Sequence, residues 1–310
     1  MEHFRRLGDV PYPELAQSLK DGCLEMSLGP FSKRLKANNS QVTEFLQDAY
    51  RDVPVRTKLG DITDVAVTIK SPSWFRQYVR RQVVADPGFI VPAVPLPVRL
   101  SALSFEMGLN LAVALKCCRL VSFHAAVVGN EKGAIFISAH SGGGKSTLAS
   151  ALMVEGYRLF SDEFGLLDMS NSLLVPYPRP VSLKGDSINI VRDFTGADWL
   201  TPVLSDTPKG DIAYRRARPS DIEEADKKLS SKLIVFPVFT KGARPVAKEL
   251  AKSEALMRLI PSSTNYHLLG QGGFEALTAM VAGARSYEIQ YGNTDDSMKI
   301  VKDLAAGVGL

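Results

Sequence analysis

Three consecutive glycines, Gly142, Gly143 and Gly144, stand directly before Lys145, Ser146 and Thr147 in the stretch SAHSGGGKST (138–147). Successive glycines let backbone N–H groups turn inward and form a nest for phosphate oxygens. A lysine placed after them reaches the β- and γ-phosphates, and the next hydroxyl is a ligand for magnesium. The phosphate-loop (Walker A) pattern asks for Gly, four residues, then Gly-Lys-Ser/Thr. Gly144-Lys145-Ser146 satisfies its end, and Ala139 occupies the place of its first glycine. The residues expected around the phosphates are Ser141, Gly142, Gly143, Gly144, Lys145, Ser146 and Thr147. The cofactors this chemistry calls for are ATP and Mg2+. An ordinary glycine-rich turn capping a helix is the plainer alternative.

A second group of candidates follows. Asp162 and Glu163 close the apolar run YRLFSDE (157–163). A carboxylate at that sheet edge can hold a metal, directly or through water, or accept a proton from an attacking hydroxyl. Ser146, Asp162 and Glu163 are therefore the expected metal set, and solvated acids at a strand end are the alternative. His124 lies in VSFHAAVV, ahead of the loop. If that run pairs with GAIFIS, its imidazole comes near the carboxylates and supports proton movement; otherwise it is a hydrogen-bonded core histidine. The basic run Tyr214-Arg215-Arg216-Ala217-Arg218-Pro219 reads either as a clamp on phosphate or an acidic acceptor, or as a solvated loop. Arg179 and Lys184 in PRPVSLK stay equally open.

Positioning these groups takes strands and helices in alternation. AIFIS precedes the loop as a strand, and TLASALMVEG follows as a helix ending near Gly156. VSFHAAVV and GAIFIS read as a strand pair across the turn-like Gly129–Gly133. GLLDM and SLLVPY flank Ser170-Asn171-Ser172 as a hairpin, and KLIVFPVF (232–239) is a buried strand whose Pro237 places its end near an edge. Helices are predicted over 253–260 and 271–282, then the strand SYEIQY (286–291) and a closing helix in TDDSMKIVKDLAAG. Parallel strands bring their C-terminal ends to one sheet edge, which would set the acids beside the loop.

The first hundred residues read as a separate α+β part. LEMSLGPF (24–31) and DVAVTI (64–69) have strand patterns, and a helix starts at Asn39-Ser40 and stops by Val53-Pro54. PGFIVPAVPLPV (87–98) is a proline-rich crossing. A helix from about Ser101 to Cys118 follows, with Leu103, Met107, Leu111, Val113 and Leu115 as its expected apolar face. The resulting division is residues 1–98 and residues 99–310, the latter an α/β domain.

Composition narrows the class. The 310 residues are 45% hydrophobic and 23% charged, a globular balance that excludes a disordered tail or a fibre. Lys plus Arg number 37 and Asp plus Glu 33, and a net +4 does not by itself imply nucleic acid as a partner. Cys23, Cys117 and Cys118 form no disulfide framework. No apolar run is expected to reach the ~18 residues of a membrane span. The start MEHFRRLGDV has no signal-peptide core, so a cytoplasmic location with no membrane is expected.

FHAAVV, SAHSGGGKST and EGYRLFSDEFGLLD together resemble the core of HPr kinase/phosphorylase. That family shows a His-containing strand, a loop of the type G-x-S-G-x-G-K-S, a helix ending in Gly and a strand ending in paired acids. It shares this layout with ATP-dependent phosphoenolpyruvate carboxykinase. The pattern is most similar to the HPr kinase-related kinases of the group called kinase A. The resemblance implies an α/β phosphate-loop kinase core with Lys145 and Ser146 at the phosphates and magnesium. It implies Asp162 as base or metal-linked carboxylate, Glu163 as the second acid and His124 as the active-site histidine. It further implies an acceptor Ser hydroxyl on a protein or peptide, and a homo-oligomer. Ala139, Glu163 and Ala125 depart from the family pattern, and the downstream Glu-Ile-Arg-Gly-type signature is absent. Phosphorolysis is accordingly not expected.

Overall fold

Alternation of buried and exposed side chains builds the first sheet. In Phe31–Ala37 and Val65–Lys70 every second residue is buried. The computed structural model describes residues 3–58, 60, 62–89, 94–140 and 142–310. By contacts the chain forms two units, Met1–Lys116 with Asp206–Pro208, and Cys117–Ser205 with Lys209–Leu310.

The first unit carries β1 (Arg5–Arg6), α1 (Tyr12–Asp21), β2 (Leu24–Leu28), β3 (Phe31–Ala37) and α2 (Ser40–Ala49). It continues through β4 (Pro54–Arg56), β5 (Val65–Lys70), β6 (Gln82–Asp86), β7 (Leu96–Pro97) and α3 (Ser101–Lys116). Its sheet order is β1-β4-β2-β3-β5-β6-β7. Only β3 and β5 among these described pairs run parallel, with Lys36 opposite Thr68. LEMSLGPF is not one strand: Gly29 (φ 55°) turns the chain between β2 and β3. Asn39 caps α2 as its sequence predicts, its side chain accepting from the Gln41 amide at 2.9 Å.

The helix predicted over 101–118 ends at Lys116 and belongs to this unit, not to the one that follows. Its inward face agrees with the expected one at Leu103 and Val113 and differs at Met107 and Leu115. Phe105, Leu109, Ala112 and Val113 are buried, whereas Met107 is 49% and Leu115 46% exposed. Gly108 lies on the side that meets the sheet. A Cβ there would lie 2.5 Å from the Ala85 Cβ and 3.1 Å from Val67 Cγ1, so only glycine lets this face meet the sheet. Together with the short turn before it, Val98–Lys116 is long and apolar enough to cross a membrane, contrary to the expectation, but 61% of that stretch is buried in the fold.

The second unit opens with β8 (Leu120–Phe123), β9 (Ala126–Asn130), β10 (Gly133–Ile137), α4 (Lys145–Val154) and β11 (Arg158–Ser161). Next come β12 (Gly165–Asp168), β13 (Leu174–Val175), β14 (Val181–Lys184), α5 (Asp186–Thr195), β15 (Leu204–Thr207), β16 (Gly210–Arg215) and α6 (Pro219–Glu223). β17 (Ser231–Phe239), β18 (Val246–Glu249), α7 (Lys252–Leu259), α8 (Gly270–Gly283), β19 (Arg285–Tyr291) and α9 (Thr294–Ala306) complete it. The main sheet has the order β11-β9-β10-β17-β19-β18. β10, β17 and β19 are parallel neighbours, and β9 runs antiparallel to both β10 and β11. Smaller sheets β13-β12-β8 and β14-β16-β15 stand beside it, giving a mixed α/β architecture with several sheets.

The run VSFHAAVV is split at His124. β8 pairs with β12, and only Ala126 onward pairs with β10. The hairpin about Ser170–Ser172 forms as expected from β12 and β13. β17 lies inside the sheet, yet β10 accompanies it only to Val235, so Pro237 falls where one side has no strand neighbour among the described residues. Phe123 packs edge-on against Phe136 at 5.5 Å in a core that also holds Phe160, Leu167, Leu277 and Met280.

Candidate functional site

β10 and β11 are both antiparallel to the strand between them, so they point the same way and end at one sheet edge. The glycine loop leaves β10 at that edge and enters α4 at Lys145; Asp162 follows β11 directly. The Ser138 amide donates to Val235 O at 3.0 Å and ties the loop's start to β17.

Two loop positions demand glycine. Gly142 and Gly144 have φ of 80° and 83°, in the left-handed region. Behind Gly144 sits Tyr291, at the end of β19, whose hydroxyl occupies the space a Cβ would need. That hydroxyl donates to Gly143 O at 3.4 Å, and burial raises its pKa to about 12. Gly143 has ordinary dihedrals but no room: a Cβ there would lie 2.8 Å from the Ala139 Cβ. Ser141 lies outside the described residues.

Lys145 opens α4 and is only 6% exposed. Its ammonium donates to Ala139 O at 2.6 Å and His140 O at 3.3 Å, folded onto its own loop. Burial lowers its pKa, opposed by the charge of Asp162. Ser146 and Thr147 are half-buried in the first turn of α4.

Asp162 is the deepest charge of the group, 4% exposed. Its Oδ2 accepts from Ser146 Oγ at 3.0 Å and from the Ser182 amide of β14 at 3.1 Å. Its Oδ1 is buried without a hydrogen-bond partner. Burial, then the neighbouring Glu163, push its carboxyl up to about 6. Glu163 is half-buried. His124, on the break between β8 and β9, presents an exposed side chain, and its amide donates to Ser262 O at 2.7 Å. Its pKa is lowered by partial desolvation and then by Lys145, against a raising effect of Glu163. Lys184 acts on His124, Lys145 and Asp162 alike. Lys145, Ser146, Asp162, Glu163, His124 and Lys184 are thus one electrostatic neighbourhood.

The basic run is neither a clamp nor a solvated loop. Arg215 is 3% exposed and donates to Ser150 O of α4 at 2.9 Å. Arg218 donates to Met153 O at 3.1 Å and Tyr157 O at 2.6 Å, and pairs with Asp221 at 2.9 Å. These guanidiniums satisfy carbonyls at the C-terminal end of α4, where a cation also complements the helix dipole. They hold the loop helix from its far end. Arg179 is buried, its guanidinium 5.6 Å from the Tyr177 ring.

The oxygens present suit a hard divalent cation. The Ser146 hydroxyl and the orphaned Asp162 Oδ1 are the donor types magnesium takes, and one buried acceptor still needs a partner. Among the described residues no group of three or more His, Cys, Asp or Glu converges as a metal cage. A phosphate-loop magnesium needs none, because nucleotide phosphates and water complete its shell.

No protein-family model matches the chain. No curated protein matches it either. Among solved structures it is similar to the Hpr(Ser) kinase/phosphatase from Coxiella burnetii, at 12% identity and a TM-score of 0.25, over 60% of this chain and 98% of that one. A likeness that distant carries no functional weight.

Proposed function

We infer that the protein is an ATP- and Mg2+-dependent phosphotransferase that moves the γ-phosphate onto a hydroxyl, a Ser on a protein or peptide. The observation that carries this reading is the meeting of Ser146 with Asp162. A hydroxyl at the start of the loop helix and a carboxylate at the end of a co-directional strand lie 3.0 Å apart, beside a loop lysine and two left-handed glycines. The motif resemblance to HPr kinase-related kinases points the same way.

In this reading the Gly142–Gly144 backbone and the α4 N-terminus hold the phosphates. Lys145 leaves its loop carbonyls for the β- and γ-oxygens. Ser146 and Asp162 would hold magnesium, which would supply neutralisation of the charge developing on the phosphates. Asp162, facing Ser146 from a buried position, is the metal-linked acid. Either half-buried Glu163 or exposed His124 receives the acceptor's proton; a histidine with a lowered pKa is neutral at pH 7 and able to accept one. The test is γ-labelled ATP with magnesium and candidate acceptor proteins. Label on an acceptor Ser supports the transferase. Label only in free phosphate would make it an ATPase, and no transfer at all would leave a nucleotide-binding module.

A further inference from the structure

The first unit has a concavity of about 360 Å³ that the reading above does not use. It lies at the carboxyl ends of the parallel strands β3 and β5, and Lys20, Lys36, Lys70 and Arg81 all line it. None of its lining residues is an acid. Lys70 is neutralised by Asp86 at 2.5 Å. Lys20, Lys36 and the Arg81 side chain have no hydrogen-bond or ion-pair partner among the described residues. Thr68 and Gln82, half-buried at its floor, offer further polar groups without side-chain partners there. Like charges gathered in a concavity repel one another and focus a positive potential that an anion relieves.

Its rim is of opposite character. The segment from Ser71 to Arg81, between β5 and β6, exposes Trp74 by 75%, Tyr78 by 67% and Phe75 by 55%. Trp74 and Tyr78 pack edge-on at 5.5 Å, and Tyr78 itself lines the concavity. Arg80 holds a positive φ of 44°, which fixes the turn that carries them back to β6. The segment also contains Arg76, Arg80 and Arg81 and no acid. Contiguous exposed aromatics with arginines are the composition of protein-binding hot spots. A small free anion would use the cations alone and leave the aromatics without purpose. A flat lipid surface would not reach cations inside a concavity.

We propose that this concavity and its aromatic rim dock an acidic segment of a partner polypeptide. A carboxylate side chain enters among Lys20, Lys36 and Arg81, and an adjacent apolar side chain lies on Trp74 and Phe75. The charge complementarity selects an acidic partner, and the rings select a polypeptide over a simple ion.

The test is fluorescence anisotropy on the full chain without nucleotide, so that its failure leaves the phosphotransferase reading untouched. The probe is a dye-labelled dodecapeptide alternating Glu with Phe and Leu, compared with its counterpart bearing Lys for Glu. The expected result is binding of the acidic peptide only, weakened at least tenfold by Lys36→Gln with Arg81→Gln and flattened in its salt dependence. Trp74→Ala should weaken binding while leaving the salt dependence in place. Both variants must melt at the parent's temperature, and both alter exposed side chains. Absent binding, equal binding of the Lys peptide, or insensitivity to the double substitution overturns the proposal. So does tighter binding, with the same dependence on Lys36 and Arg81, of a twelve-nucleotide single-stranded DNA or of phosphatidylserine vesicles.

Discussion

Ser146 Oγ donates to Asp162 Oδ2 across 3.0 Å, joining the first turn of α4 to the end of β11. The bond places a potential metal-binding hydroxyl against a carboxylate whose other oxygen is buried and unpaired. A buried carboxylate oxygen without a partner costs the folded protein stability.

The carboxyl of Asp162 gives that relation a pH signature in the metal-free protein. Its folded pKa is near 6 and its ordinary value 3.8, so the folded state holds the proton more tightly than the unfolded chain. The contribution is fully stabilising below about pH 4 and is lost as pH rises through about 6, a span of about 3 kcal/mol. Asp162→Asn removes the titration. Its melting temperature relative to the parent should rise between pH 4 and 6, and parallel profiles would contradict the burial described. With ATP present, the variant should lose transfer and magnesium dependence far more than nucleotide affinity.

Lys145→Ala should weaken ATP binding about tenfold to a hundredfold, the worth of a charge-assisted phosphate contact of about 1.5–3 kcal/mol. Because Lys145 also donates to Ala139 O and His140 O, the free loop should loosen as well. Calorimetric titration and hydrogen exchange over 139–147 measure the two effects separately. Unchanged affinity would remove the nucleotide reading altogether.

Gly143→Ala tests the departure at Ala139. The new Cβ would meet the Ala139 Cβ at 2.8 Å and His140 O at 3.0 Å, so the loop must shift. ATP affinity should fall by an order of magnitude. Ala139→Gly in the same chain should restore part of it, with a coupling of about 0.5–3 kcal/mol. Strict additivity would mean that the two positions do not press on each other.

Arg215→Ala separates the anchoring role from a phosphate clamp. Loss of the bond to Ser150 O should lower stability in urea by about 1.5–3 kcal/mol. ATP affinity of the folded fraction should change little. A hundredfold loss of affinity without destabilisation would return this arginine to the phosphates.

What the sequence discloses and what it hides divide along local lines. Gly142 and Gly144, the Asn39 cap and the acids after β11 follow from short-range chemistry, and they are where periodicity and motif place them. The inward face of α3 depends on Gly108 meeting Ala85 and Val67, contacts that its own pattern cannot contain. The run that contains His124 is divided because its first half pairs with β12 and its second with β10, partners its own pattern cannot name. The arginines at and after the end of β16 look like a solvent-facing or ligand-facing run until the carbonyls at the end of α4 supply their partners. Tyr291, which walls the loop, is one aromatic in an ordinary strand pattern and carries no local signal of that role.

That tyrosine sets the order in which the site can come into being. The glycine loop is contiguous, but Tyr291 and Gly143 are 148 positions apart, and β10 waits for β17 as a parallel partner. Contacts this distant in sequence close late, since loop entropy must be spent before any parallel pairing rewards it. During synthesis α4 emerges with its motif intact and no wall behind Gly144. A chain truncated before residue 285 therefore contains the glycine loop, Lys145, Ser146 and both acids, yet lacks the strand whose Tyr291 stands behind Gly144. The wall behind Gly144 arrives only with the last strand of the sheet.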